Sequence, residues 1–365
     1  MPTNKLKIAI LFGGRSAEHE VSIQSAKNVA AALDKDKYDL LLVGIDKEGE
    51  WHFFADQQIF TQATLDPKVI KKGEGVAFLP TGKSPKVLLY EQGKYLPSPD
   101  VVFPVLHGPY GEDGAVQGFL KMLNLPVVGA DILGSAVGMD KEIMKRLLKE
   151  AGLPLGKFIV IKEGERENIS WSQVAKELGS PVFVKPANLG SSVGVSKVEN
   201  ERQFQEALLL AFAYDLKVIV EEFIPGREIE CAVLGNEQPR ASLPGEIIPQ
   251  RDFYSYEAKY LDQEGAILKA PAELPDEVVK EVQTLAVKTF LTLQCNGMGR
   301  VDFFLKDSGE VLINEINTIP GFTQISMYPK LWEVSGLSYS ALLDELIRLA
   351  LERFSRLQQL QTKYN

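Results

Sequence analysis

The sequence predicts a multidomain α/β protein, and three observations carry that expectation. The chain opens with a strand, a glycine turn, a helix and a second strand, the pattern of a βαβ unit with a parallel sheet. Apolar residues make up 45% and charged ones 24%, an ordinary composition for a chain that buries a sizeable core. Its 365 residues correspond to two or three domains at roughly 100–200 residues each.

Charge and composition remove several classes. Lys and Arg number 40 against 49 Asp and Glu, so a net charge of −9 argues against nucleic-acid binding by phosphate neutralisation. No apolar stretch approaches the ~20 residues that cross a bilayer, so no membrane partner is expected. The first apolar run breaks at Gly13-Gly14 without a small-residue cleavage site, and is expected to be a strand and not a signal peptide. Cys231 and Cys295 stand far apart in apolar segments, which points to buried thiols and away from a disulfide framework or a CxxC site. His19, His52 and His107 are too few to supply a zinc enzyme well. A cytoplasmic protein is expected.

The elements follow in order. Lys7–Phe12 and Tyr38–Ile45 read as strands, with Ala26, Val29, Ala30 and Leu33 at helical spacing between them. Residues 51–99 are less regular and contain a hairpin-like stretch, GKSPKVLLYEQGKYLP. DVVFPVLHG then gives a buried strand, followed by the loop GPYGEDG and a helix over Ala115–Asn124. A helix begins beyond Met139, and another covers Ser172–Leu178. PVFVKPANLGSSVGVSKV reads strand–loop–strand, before a helix at Glu201–Tyr214 and the strand KVIVEEF. The last region holds a polar excursion (PQRDFYSYEAKYLDQEGA), a helix over Pro275–Thr292, the hairpin GRVDFFLKDSGEVLINEIN and an amphipathic helix from about Tyr339. There is no internal repeat.

That hairpin carries the sharpest chemical signal. A four-residue loop, Asp307 to Glu310, would pair Lys306 with Val311. Asp302 then stands opposite Glu315 and Arg300 opposite Asn317, all four on one face. Opposed carboxylates destabilise a sheet unless a cation lies between them, and these oxygen donors suit Mg²⁺ or Mn²⁺. A fortuitous surface cluster is the alternative, but Val301, Phe303, Phe304, Leu312, Ile313 and Ile316 make the surroundings too apolar for a merely solvated face.

Three further segments add to it. The loop after Lys185 is rich in Gly and Ser and lets backbone N–H groups approach a polyphosphate, with the Ser191 and Ser192 hydroxyls beside them. It lacks the GK[ST] of a Walker loop, and a plain flexible hairpin is the alternative; Lys185 and Lys141 weigh toward phosphate. Glu221-Glu222 followed by Phe223-Ile224 offers an edge and a face to an adenine, though many strand ends look alike. FGGRSAEHEVS is not the GxGxxG dinucleotide fingerprint, but Asp46 near the end of the second strand keeps a nicotinamide oxidoreductase as a rival. Glu18 at the helix start balances a helix dipole at the least. His107 stands where a parallel strand ends, the usual place for ligand contacts, or else is a satisfied structural histidine.

Together, FGGRSAEHEVS, LHGPYGEDG, MDKEIMKRLL, VKPANLGSSVGVSKV, EEFIPGREIECAVLG, YEAKY, GRVDFF and EINTIPGFTQISMYPKLW resemble the D-alanine–D-alanine ligases of the ATP-grasp superfamily, in order and over nearly the whole chain. The resemblance implies an ATP-grasp fold: an N-terminal α/β domain with a parallel sheet (1–130), a central subdomain (131–221) and a C-terminal subdomain with the metal site and a mobile loop (222–365), the last two α+β domains clasping ATP. It assigns Lys141, Lys185, Ser191 and Ser192 to the phosphates, Glu221, Glu222, Phe223 and Ile224 to adenine, and Glu228 to the ribose. Asp302, Glu315 and Asn317 match the ligands of two Mg²⁺ ions, with Mn²⁺ an alternative. Glu18 matches the residue holding the first D-alanine's amino group, with His107 in the same subsite and Ser191 and Tyr260 linking Glu18 to the mobile loop. Lys259, Arg300 and the Gly321 N–H would face the transferring phosphate and the oxyanion, and Ser326 and Met327 the second carboxylate.

The implied activity is ATP-dependent joining of two D-alanines through an acyl phosphate for peptidoglycan precursors, by a homodimer. The segment from Asp252 to Gly265 is the expected lid. Tyr260 within YEAKY matches the dipeptide-forming type, against relatives making a D-alanine–D-lactate ester; a D-serine preference stays open. A catalytically silent nucleotide-binding module would have lost the acidic ligands, which are all present.

Overall fold

The computed structural model describes residues 5–64, 66–82, 84–250 and 266–361. Three sheets organise them. The first contains β1 (Leu6–Gly13), β2 (Tyr38–Ile45), β3 (Trp51–Phe54), β4 (Glu74–Leu79), β5 (Lys86–Leu89), β6 (Lys94–Leu96) and β7 (Val101–Pro104), in the order β6-β5-β4-β3-β2-β1-β7. β1 pairs in parallel with β2 and β7, and the remaining pairs are antiparallel. Its centre is buried on both faces, as parallel strands require. Ile8, Ile10 and Phe12 pack toward α1 (His19–Ala32), while Ala9 and Leu11 join Val116 and Leu120 of α3 (Ala115–Met122). A short helix, α2 (Gln58–Ala63), packs beside α1. Asp46 needs no ligand to explain it: its Oδ1 accepts from Glu48 N and Glu50 N and fixes the β2–β3 turn.

The second sheet has the order β10-β9-β11-β8, from β8 (Phe158–Lys162), β9 (Val182–Pro186), β10 (Ser196–Val198) and β11 (Lys217–Glu222). It is reached through α4 (Ile132–Met139) and α5 (Lys141–Glu150), and is covered by α6 (Trp171–Leu178) and α7 (Glu201–Phe212). Local chemistry sets these starts. Asp140 accepts from Ile143 N to cap α5, Ser170 forms a capping box with Gln173, and Asn200 accepts from Gln203 N.

The third sheet runs β15-β14-β12-β16-β17, from β12 (Arg227–Gly235), β13 (Arg240–Ala241, paired with β12), β14 (Gly245–Pro249), β15 (Ala266–Lys269), β16 (Gly297–Leu305) and β17 (Val311–Asn317). Alternation divides its residues. Ile229, Cys231, Val301 and Phe303 pack with α8 (Asp276–Thr292), leaving Glu228, Glu230, Arg300 and Asp302 on the opposite face. Two helices, α9 (Met327–Val334) and α10 (Tyr339–Gln358), then carry the chain back to the first sheet, where Leu342, Leu346 and Ile347 share a core with β1.

The structure amends the expected hairpin. The loop holds three residues, closed by Lys306 N donating to Glu310 O at 3.0 Å, with Gly309 at φ 88°. Leu305 therefore pairs with Val311, one residue off the expected register. Asn314 is an extra residue at a bulge and restores it, so Asp302 stands opposite Glu315 and Arg300 opposite Asn317 after all. The α3 helix stops at Met122, because Asn124 takes the left-handed φ of 57° that ends it. Both cysteines are buried, which pushes each thiol up to about 12.

Candidate active site

The third sheet presents one row of acids. Glu230 on β12 pairs with Asp302 on β16, which pairs with Glu315 on β17, so three carboxylates lie side by side. Arg300 holds two of them: Nε and Nη2 donate to the Asp302 oxygens at 2.7 Å each, and Nε is 3.0 Å from Glu230 Oε2. Asn317 Nδ2 donates to Asp302 Oδ2 at 2.9 Å, and Lys141 Nζ stands 3.4 Å from Glu315. Asp302, Glu315, Asn317 and Arg300 are thus brought together.

The row borders two adjoining chambers. One, of about 240 Å³, lies between the second and third sheets and is lined by Lys141, Lys185, Ser191, Ser192, Glu221 to Ile224, and Glu228. Every residue the sequence offers for ATP lines it. Burial alone would raise Glu221, but Lys145 and Lys185 pair with it and hold its carboxyl down at about 2. Phe223 packs near Phe183, with Lys197 Nζ over its ring at 5.3 Å. Lys141 Nζ donates to Leu189 O at 2.6 Å, and Ser191 and Ser192 have φ of 52° and 60° at the turn of the loop between β9 and β10. These left-handed values for two non-glycine residues mark a loop held in a special shape.

The second chamber, of about 200 Å³, is lined by Glu18, His107, Arg300, Gly321, Ser326 and Met327 and joins the first beside Gly190, Ser191, Glu228 and Glu315. Glu18 accepts from Ser191 Oγ, which ties the first sheet's helix to the second sheet's loop. His107 is clamped at both ring nitrogens: Nδ1 lies 3.0 Å from Ile319 O and Nε2 3.1 Å from Ser25 Oγ. Phe322 N donates to Ser25 Oγ, leaving the hydroxyl proton for Nε2, so Nδ1 carries the ring's hydrogen. Burial keeps that imidazole neutral by pushing its pKa down, against the pull of Glu18. His107 therefore fastens the Ile319–Phe322 segment that carries Gly321. Ser326 Oγ accepts from Thr323 N at 2.9 Å, and Met327 is buried at the start of α9.

Lys259 and Tyr260, and the expected lid from Asp252 to Gly265, lie outside the described residues. Four other side chains belong to the site and escape the sequence reading. Lys145 lies one helical turn after Lys141 on the same face, a spacing that signals it. Glu230 follows Glu228 by two on one strand face. Glu112, inside the GPYGEDG loop, accepts from Gly108 N and Ile319 N. Burial and then Glu18 raise its carboxyl to about 8. Ser25 gives no signal, being one small residue within a helix.

Known proteins match over the same extent. Family models described as the D-ala D-ala ligase N-terminus and C-terminus match residues 7–130 and 147–348. A D-alanine–D-alanine ligase of Oceanobacillus iheyensis is 55% identical over 361 residues, 98% of each chain. D-alanine–D-alanine ligase A of Salmonella typhimurium is 51% identical over 98% of this chain and 99% of its own. Among solved structures, the D-alanine-D-alanine ligase of Coxiella burnetii superposes with a TM-score of 0.85 at 40% identity, covering 97% of this chain and 98% of that one. The VanG D-Ala:D-Ser ligase of Enterococcus faecalis gives 0.84 at 37%, covering 95% and 100%. With the three sheets in an ATP-grasp arrangement and this identity along its length, the chain belongs to the D-alanine–D-alanine ligase family.

Proposed function

We propose that the chain is an ADP-forming ligase that joins two D-alanine molecules into D-alanyl-D-alanine for peptidoglycan synthesis. Full-length identity of 55% to a D-alanine–D-alanine ligase carries the reading, supported by a complete row of metal-suited acids beside a lysine-lined chamber. A carboxylate is a poor electrophile, so ATP first converts the first D-alanine to an acyl phosphate; the second D-alanine's amine then displaces phosphate. Lys141, Lys185 and the Ser191-Ser192 loop hold the phosphates, Glu221 to Ile224 the adenine, and Glu228 the ribose. Glu18 takes the first amino group, while Arg300 and the Gly321 N–H face the charge that grows on phosphate and oxyanion. Ser326 and Met327 bound the second carboxylate.

Asp302, Glu315 and Asn317 fit hard divalent cations: the two acids stand directly opposite each other, Asn317 touches Asp302 beside them, and Lys141 and Arg300 stand against the carboxylate charge. Two Mg²⁺ ions, or Mn²⁺, would be held there and would neutralise the transferring phosphoryl group. The same reading divides the chain at 1–130, 131–221 and 222–365, and makes it a cytoplasmic homodimer; no helix among the described residues is long and apolar enough to cross a membrane.

The test is phosphate release with Mg-ATP and D-alanine, beside L-alanine and D-alanine mixed with D-serine or D-lactate. Release with D-alanine alone and a dipeptide product is expected. Release only with D-serine or D-lactate would keep the mechanism and change the second substrate. Silence with all of them would leave only nucleotide binding.

A further inference from the structure

Glu230 is buried on the central strand of the third sheet and contributes a third carboxylate to a row where two already oppose each other. Burying an ionised acid is costly unless a cation accompanies it. A cation beside it among the described residues is Arg300, whose Nε lies 3.0 Å from Glu230 Oε2 and whose fork also grips both Asp302 oxygens. Arg300 therefore bridges an acid suited to holding a metal and an acid one strand further away.

We infer that Glu230 is a positioning residue that keeps Arg300 in place when Asp302 turns its oxygens to a divalent cation. The inference rests on the ligase reading of the site. A cation at Asp302 competes with Arg300 for the same two oxygens. With Glu230 present, the guanidinium has a second carboxylate to stay on, so Asp302 is released and Arg300 remains aimed into the chamber that Glu18 and Gly321 line. Without Glu230, the contacts among the described residues leave Arg300 on both Asp302 oxygens, and cation and arginine oppose each other there. Glu18 and the first amino-acid end are not involved.

The measurement is Mn²⁺ binding to the full chain with ADP, read from the loss of the free-Mn²⁺ spin-resonance signal, beside steady-state kinetics. Glu230→Gln keeps the shape and removes the charge; it is expected to weaken Mn²⁺ about tenfold, the range for residues that orient metal ligands. Its kcat should fall while KM for the first D-alanine stays within about twofold, a split that a general loss of structure would not give. Glu230→Asp keeps the charge but is too short for the contact, and should lose Mn²⁺ affinity by an intermediate factor. Unchanged Mn²⁺ binding in a folded Glu230→Gln variant overturns the proposal. Wild-type binding by Glu230→Asp also overturns it, by showing that charge alone matters; this variant decides the matter if Glu230→Gln does not fold. Absence of Mn²⁺ binding by the unmodified chain with ADP overturns the ligase reading as well, which separates the two failures.

Discussion

Glu112 shows what a single residue in this site does to the whole protein's response to pH. Its carboxylate accepts two backbone N–H groups, yet burial first and the nearby Glu18 second raise its pKa from 4.5 to about 8. The folded chain therefore keeps a proton that the unfolded chain has released between about pH 4.5 and 8. Stability from this group is fully present below pH 4.5 and is lost as pH rises through 8. In the ligand-free protein, the melting temperature of wild type relative to Glu112→Gln should fall steadily from pH 5 to pH 8. A difference that does not move with pH would show that Glu112 is an ordinary carboxylate. An ammonium group bound beside Glu112 would remove the effect, because it favours the ionised Glu112.

At the scale of elements, α5 joins two sheets through one buried amine. Met144 and Leu148 pack into the third sheet's core, while Lys145 between them reaches Glu221 on β11 at 3.0 Å and Asn314 O on β17 at 3.1 Å. Burial pushes the Lys145 pKa down, against the pull of Glu221. Lys145→Met would leave Glu221 with Lys185 and orphan the bulge carbonyl, a loss of about 2–3 kcal/mol, below the full cost of breaking a buried pair. The melting temperature would drop accordingly and nucleotide affinity would weaken. An unchanged melt would mean that α5 is held by its apolar face alone. This helix and the acid row also mark what was legible in the sequence. The sequence reading placed α5 and α7, and strand alternation put Asp302 and Glu315 on one face. The one-residue bulge at Asn314 was not legible, since the correct pairing near Asp302 also follows from a wrong loop length. Nor was α4, whose Gly134 and Gly138 blur a helical pattern. Those glycines are there because a Cβ would come within 2.8 Å of Gln294 O and of Thr318 Cγ2. Contacts distant along the chain, such as Ser25 with His107 and Phe322, depend on residues about 80 and 300 apart and leave no local trace.

Across the whole molecule, the three sheets are not equally bound to one another. The first and third share one core, in which Ile8 and Phe12 meet Met298, Leu331 and Leu346, and Arg353 donates to Val127 O and Gly129 O from the last helix. The second has its own smaller core around Val184, Phe204 and Val220. Among the described residues it meets the others through polar contacts at the cleft, including Ser191 with Glu18 and Lys145 of α5 with Glu221. Segments with separate cores open separately, and a ligand spanning the gap slows the opening that must release it. A non-hydrolysable ATP analogue with Mg²⁺ at a hundredfold its Kd adds about 2.7 kcal/mol to that opening, about a hundredfold in exchange rate. Amide exchange should therefore slow most in β9 and β11, with little change in β1, β2 and β7, whose shared core does not open with the cleft. Equal slowing in all three sheets would show instead that the chain opens as one unit, and that the separate core of the second sheet confers no independence.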